Sequence, residues 1–83
     1  MKELDELKEK CVQAMKDVDT FVDEHYEELL EEMRSKWEVP SDWEAKIVSS
    51  WGVVHGRFRQ SEKDKWTMVI YNDGEWHPAL LIA

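Results

Sequence analysis

Residues 4–37, LDELKEKCVQAMKDVDTFVDEHYEELLEEMRSKW, carry one apolar stripe that never changes phase. Its members follow one another at three or four residues in an 11-residue pattern, which averages about 3.67 residues per turn and lines one face of a nearly straight α-helix. The stretch contains neither glycine nor proline, so we predict an amphipathic helix over residues 1–38 that ends before Pro40. The stripe consists of Leu4, Leu7, Cys11, Met15, Val18, Val22, Tyr26, Leu29, Met33 and Trp37.

This helix is too long for the chain that carries it. It would span about 50 Å at ~1.5 Å per residue, whereas a compact domain of this size is about 30 Å across. Either the helix breaks, or another molecule buries part of its stripe. Asp17–Thr20 is the one place that offers a break, with Asp19 or Thr20 as cap, but the continuity of the stripe favours an unbroken helix.

The remaining sequence predicts a short second helix and a small sheet. Ser41 and Glu44 match a capping box, which predicts a helix over residues 41–51 that stops at Gly52. The apolar period then changes to two, which predicts strands at 53–60, 65–71 and 75–82. Asp73-Gly74 is typical of a two-residue hairpin turn, and Pro78 places the last strand at an edge. We therefore expect one α+β domain over residues 1–83, in which residues 53–83 form a three-stranded antiparallel β-meander.

The two faces of the predicted sheet differ in character. If Ser61–Asp64 is the loop between the first two strands, Gln60 faces Lys65 and the register follows. One face is then apolar and suits a core: Val54, Phe58, Val69, Tyr71, Trp76, Leu80 and Ile82. The mixed sheet face carries His55, Arg57, Arg59, Trp66, Met68, Ile70, His77 and Leu81.

We expect something to touch the mixed sheet face, because basic and apolar groups alternate on it. Contact of His55, Arg57 and Arg59 with an acidic helix, of the same or a neighbouring molecule, is favoured over binding of single-stranded nucleic acid. Trp66 lies opposite Arg59, as a cation–π partner or as an exposed anchor. Three of the remaining tryptophans, Trp37, Trp51 and Trp76, are expected in the core.

The net charge of −8 is concentrated in the predicted long helix. Residues 1–39 hold thirteen acidic and six basic side chains, a net of −7, whereas residues 40–83 hold six and five, a net of −1. Such a surface disfavours nucleic acid and anionic membranes as partners and favours a basic protein. With neither a signal sequence nor an apolar run of membrane-spanning length, we expect a cytoplasmic protein. Cys11, the single cysteine, is interpreted as a small buried hydrophobe, with an intermolecular disulfide as the alternative.

An acidic ridge is the main candidate site. Carboxylates that recur every helical turn lie about 6 Å apart, which a phosphate-binding protein would accept as a nucleic-acid backbone. This pattern indicates a non-enzymatic inhibitor or neutralising factor, a nucleic-acid mimic of anti-defence or antitoxin/immunity type, that docks on a nucleic-acid-processing enzyme or complex. The bland alternative is a solvated helix face. The acidic ridge consists of Asp19, Asp23, Glu24, Glu27, Glu28, Glu31 and Glu32.

The alternative function is structural. Leu4, Leu7, Cys11 and Met15 supply apolar surface that the small domain does not need, which favours a homodimer or pairing with a partner helix. Size, acidity and a Trp-rich hairpin are also compatible with a small protein of phage or mobile-element type. Catalysis, metal binding and cofactors are not expected, because His25, His55 and His77 lie on different predicted elements and no glycine-rich phosphate loop occurs.

Overall fold

The computed structural model of the protein describes residues 1–79, which form two helices followed by a four-stranded antiparallel sheet. The strands lie side by side in chain order, so the sheet is a meander. The α+β class is confirmed, but the prediction of three strands is wrong. The elements are α1 (Lys2–Glu24), α2 (Tyr26–Lys36), β1 (Glu44–Ser50), β2 (Val53–Arg59), β3 (Thr67–Asn72) and β4 (Glu75–Pro78).

The predicted unbroken helix is wrong, because the helix breaks at His25 and not at Asp17–Thr20. The φ and ψ angles of His25 are −115° and 23°, outside the helical range. A seven-residue strand is only about 23 Å long, so the two helices reach the short sheet together only if the chain bends. Val22 on α1 and Leu29 on α2 are accordingly both buried.

The molecule remains elongated despite this bend. Its principal extents are 50 × 32 × 23 Å and its radius of gyration is 15.3 Å, whereas a compact domain of this length has a radius of gyration of about 12 Å. The excess length comes from α1, since every residue from Met1 to Ala14 is exposed. The stripe members Leu4, Leu7 and Cys11 therefore have no partner within the described part of the chain.

The predicted helix at residues 41–51 is also wrong, because this segment forms β1. Each residue from Glu44 to Ser50 pairs with one of β2, and Ser50 lies opposite Val53. Trp51 and Gly52 form the connecting turn with φ angles of 55° and 77°, the conformation of a two-residue hairpin. The predicted helix combined a capping box at its start with Gly52 as its C-cap. Gly52 is instead the second residue of the hairpin turn, so the segment before it is a strand.

The end of α2 agrees with the prediction from Pro40. The amide of Val39 donates to the Arg34 carbonyl at 2.9 Å, and Glu38 adopts a positive φ of 49°, which together make a Schellman-type end. Val39 itself is buried in the core. The Arg34 guanidinium donates to the carbonyls of Pro40 and Trp43, both at 3.0 Å, and so ties α2 to the start of β1.

The register of β2 on β3 agrees with the prediction. Phe58 lies opposite Thr67, and the same register places Gln60 opposite Lys65. The helices cover the apolar face of the sheet, and Leu80, Leu81 and Ile82 lie outside the described residues. The core consists of Val22, Leu29, Met33, Val39, Ile47, Phe58, Val69 and Trp76.

The three tryptophans that were predicted in the core differ in their solvent exposure. Trp76 is buried in the core and Trp37 is half-buried against it, as expected. Trp51 is 82% exposed, so its predicted core position is wrong. The reason is local: a residue in a two-residue hairpin turn projects beyond the end of the sheet.

Candidate protein-interaction surfaces

All seven carboxylates of the acidic ridge are exposed. Asp19 accepts a hydrogen bond from the Ser49 hydroxyl at 2.6 Å, and Glu28 lies 3.4 Å from Nδ1 of His25. Within residues 1–79, the other five have neither an ion pair nor a side-chain hydrogen bond. Arg34 does not offset Glu31, because its guanidinium is engaged by the carbonyls before β1. The ridge thus faces solvent with most of its charge uncompensated.

An apolar groove lies beside the ridge, where α1 meets α2. Its volume is about 580 Å³. Phe21, which is 55% exposed, stacks on the His25 ring with centroids 4.3 Å apart. Asp17, Glu28 and Glu32 supply carboxylates to the lining. The sequence alone does not predict this groove, because it forms only where the chain bends. Its apolar lining consists of Val18, Phe21, Val22, Leu29, Val54 and Tyr71.

The N-terminal part of α1 presents the candidate self-association residues to solvent. Leu4 and Leu7 are 48% and 59% exposed. Cys11 is exposed as well, so its interpretation as a buried hydrophobe is wrong. Met15 is half-buried and marks the point where α1 reaches the β1–β2 turn, since a Cβ on Gly52 would lie 3.7 Å from the Met15 Cγ.

The mixed sheet face lies on the side of the sheet away from the helices. Trp66 accepts cation–π contacts there from Arg59 at 4.5 Å and Lys46 at 4.9 Å, measured to its ring centroid. Arg59 also forms an ion pair with Glu44 at 3.1 Å. These groups do not touch the acidic helices of the same molecule, so that part of the prediction is wrong. The adjacent β1, which was unforeseen, supplies the partners instead.

His55 occupies the centre of the mixed sheet face and is buried between its cross-strand neighbours Val48 and Ile70. Burial lowers the pKa of His55 below its ordinary 6.5, and the nearby positive charge of Arg57 lowers it further. The unfolded chain therefore binds a proton on this residue more readily than the folded one. Stability from His55 is fully present above pH 6.5 and is lost as the pH falls towards the lowered pKa.

We expect His55→Leu to flatten this acid dependence. The free energy of unfolding, measured with urea between pH 7.5 and 5.5, should fall less in the variant than in the wild type. His25 and His77 remain in both proteins, so the difference between the two pH profiles reports His55 alone. Parallel profiles would contradict the assignment.

Metal-binding clusters and membrane-spanning helices within the described residues, and similarity of the chain to known proteins, were also considered. Residues 1–79 bring no three potential metal ligands together, and neither described helix combines the length and apolar character that crossing a bilayer needs. Comparison with protein-family models, curated proteins and solved structures finds no match to this chain.

Proposed function

We propose that this chain is a non-enzymatic protein-binding protein that docks its acidic ridge on the basic surface of a nucleic-acid-handling protein and thereby inhibits or neutralises it. The observation that carries the proposal is the exposure of all seven ridge carboxylates, five of them without a side-chain partner in residues 1–79. A partner rich in Lys and Arg would find there charge that the protein itself does not compensate.

The ridge also has a thermodynamic cost, which supports a role beyond solubility. Asp19 and Asp23 are four residues apart within α1, and α2 contains two further like-charged pairs at this spacing. Each such pair destabilises a helix by about 0.2–0.5 kcal/mol. A domain of this size has only about 3–5 kcal/mol of net stability, so the repulsion consumes a noticeable share of it.

The apolar groove strengthens the proposal, because charge alone makes weak interfaces. Protein interfaces combine a desolvated apolar centre with a polar rim. Phe21 and Tyr71 offer such a centre, and Glu28 and Glu32 lie at its margin. A partner side chain that is long, apolar along its stem and cationic at its tip fits this combination.

Charge reversal tests the proposal. Lysine replaces Asp23, Glu24, Glu27, Glu28 and Glu31, which shifts the net charge from −8 to +2 (five changes of +2 each). Immobilised wild type is expected to retain a basic protein from a lysate of the source cells, to release it on a salt gradient and to lose it to added duplex DNA. We expect the variant to retain at least tenfold less of it, because contacts of this kind depend on opposite charge and are screened by salt.

A matched control carries the same change of net charge elsewhere. Lysine replaces the exposed residues Glu38, Asp42, Glu62, Asp64 and Glu75, and this control should bind as the wild type does. Equal binding by the ridge variant and the wild type, with both folded by circular dichroism, would reduce the ridge to a solvated face.

A second function, as a structural or assembly protein, is favoured by a separate observation. Leu4, Leu7 and Cys11 project on a helical segment without any contact to the core of the described chain. Exposed apolar stripes of this kind mark association surfaces. Assembly and inhibition do not exclude each other, because the stripe and the ridge occupy different parts of the helices.

A further inference from the structure

The charges around the exposed stripe are arranged differently from those of the ridge. Residues 1–6 hold three carboxylates and one lysine, a net of −2, whereas residues 7–16 hold three lysines and one carboxylate, a net of +2. The segment is thus neutral as a whole and polarised along its length. Such a segment is complementary to a copy of itself that runs in the opposite direction.

We propose that two copies of this chain associate through antiparallel pairing of the exposed part of α1, centred on Leu7. At about 100° per residue, Glu3 and Lys10 flank one side of the stripe, whereas Asp5 and Lys8 flank the other. Antiparallel pairing about Leu7 sets Glu3 beside Lys10 of the second copy and Asp5 beside Lys8. The same register brings Leu4 level with the second copy's Cys11 and packs the two Leu7 side chains together.

The folded part of the protein supports this orientation. In a parallel pair the two acidic ridges, which begin at Asp19, would lie side by side and repel one another. The antiparallel pair places them at opposite ends. The N-terminus of each copy then reaches Met15 and the β1–β2 turn of the other, where Trp51 is 82% exposed and is covered by the incoming helix.

The contact is short, so the dimer is expected to be concentration-dependent. About four helical turns, roughly 20 Å of helix, bury less than the ~1,200 Å² of a standard interface. Sedimentation equilibrium should therefore show a mass that rises from 9.9 kDa towards twice this value over the micromolar to millimolar range. A wild type that stays monomeric at millimolar concentration would overturn the proposal.

Two variants test whether the apolar stripe, and not the helical segment in general, forms the contact between the two copies. Leu7→Glu is expected to weaken association at least tenfold, because it buries a charge at the centre of the pair. Val12→Glu is the control: Val12 is 48% exposed, like Leu4, but lies about a quarter turn away from the stripe. Both positions are exposed in the single chain, so neither change disturbs its fold. Equal loss of association in the two variants would contradict the stripe as the contact.

Cysteine cross-linking reads the orientation directly. In the antiparallel register the two Cys11 side chains are about 12 Å apart along the axis, too far for a disulfide, which needs Cα atoms within about 7 Å. A Leu4→Cys/Cys11→Ser variant has its single cysteines about 9 Å apart. With diamide, neither protein alone should cross-link, but their mixture should give a dimer joined from position 4 to Cys11. Cross-linking of each protein alone would indicate a parallel pair and overturn the proposal.

The proposed dimer rests on the assembly role proposed above and does not depend on the proposed inhibitory function. Charge reversal on the ridge should leave the dimer intact, and Leu7→Glu should leave the ridge able to bind its partner. Failure of either proposal is therefore visible without affecting the other.

Discussion

Gly56→Val is expected to abolish the cooperative fold or to lower the free energy of unfolding by about 3 kcal/mol or more, at the upper end of what overpacking costs. Gly56 lies in the middle of β2, buried beneath α2. A Cβ at this position would overlap the Met33 sulfur and lie 3.3 Å from a methyl group of Val69. Both neighbours have no solvent exposure, so neither can swing aside. Glycine is required here by close packing and not by an unusual backbone conformation.

A double-mutant cycle identifies the cause. Gly56→Ala and Met33→Ala each destabilise, the second by about 2–5 kcal/mol through the cavity that it leaves. Together they should cost less than the sum of the single changes by about 0.5–3 kcal/mol, because the new Cβ occupies space vacated by Met33. Urea denaturation followed by circular dichroism measures all three. Additive losses would show that Met33 and Gly56 do not compete for the same space.

Arg34→Met is expected to lower the free energy of unfolding by about 2–3 kcal/mol, because it removes a charged donor that is bonded to two carbonyls. The bond to the Pro40 carbonyl is exposed to solvent, which limits the loss. The Arg34 guanidinium spans the carbonyls of Pro40 and Trp43 with separate nitrogens. This pair of bonds fixes the path from α2 to β1. Its loss should loosen the connection, and hydrogen exchange of the Trp43 and Ile47 amides should accelerate with the fall in stability.

Arg34→Lys is the matched control for charge. Lysine keeps the cation and most of the stem, but its ammonium is a point donor that does not reproduce the planar fork. We expect it to recover no more than half of the stability lost in Arg34→Met. Full recovery would mean that charge alone matters at this position and that the fork does not hold the connection.

The elements with a strong periodic signal could be read from the sequence, and those that depend on competition between signals could not. The period of two after Gly52 and the Asp73-Gly74 pair predicted β2, β3 and β4, and the register of β2 on β3 was predicted correctly. The segment from Ser41 to Gly52 was predicted as a helix from its capping pattern alone. Glu44–Ser50 instead pairs with β2, and such pairing is tertiary information that a local pattern does not contain.

The residues of the acidic ridge and of the exposed stripe were predicted from the sequence, but the groove between the two helices was not. Solvent exposure of the ridge and of Leu4 and Leu7 follows from the long helical stripe in so short a chain. The groove beside Phe21 required knowledge of the bend at His25, which no glycine or proline announces. The ion pair of Arg59 with Glu44 depended on the unforeseen strand β1.

The meander order of the sheet has a consequence for how fast the chain folds. Every strand pairs with its neighbour in sequence, and two of the three connections are two-residue turns. Such local pairing closes small loops, so little chain entropy is lost before each contact is gained, and proteins of low contact order fold within milliseconds or faster. The four strands can therefore assemble before the helices dock. Rapid formation of the sheet shortens the time during which its strands expose their apolar side chains and unpaired backbone groups to other unfolded chains.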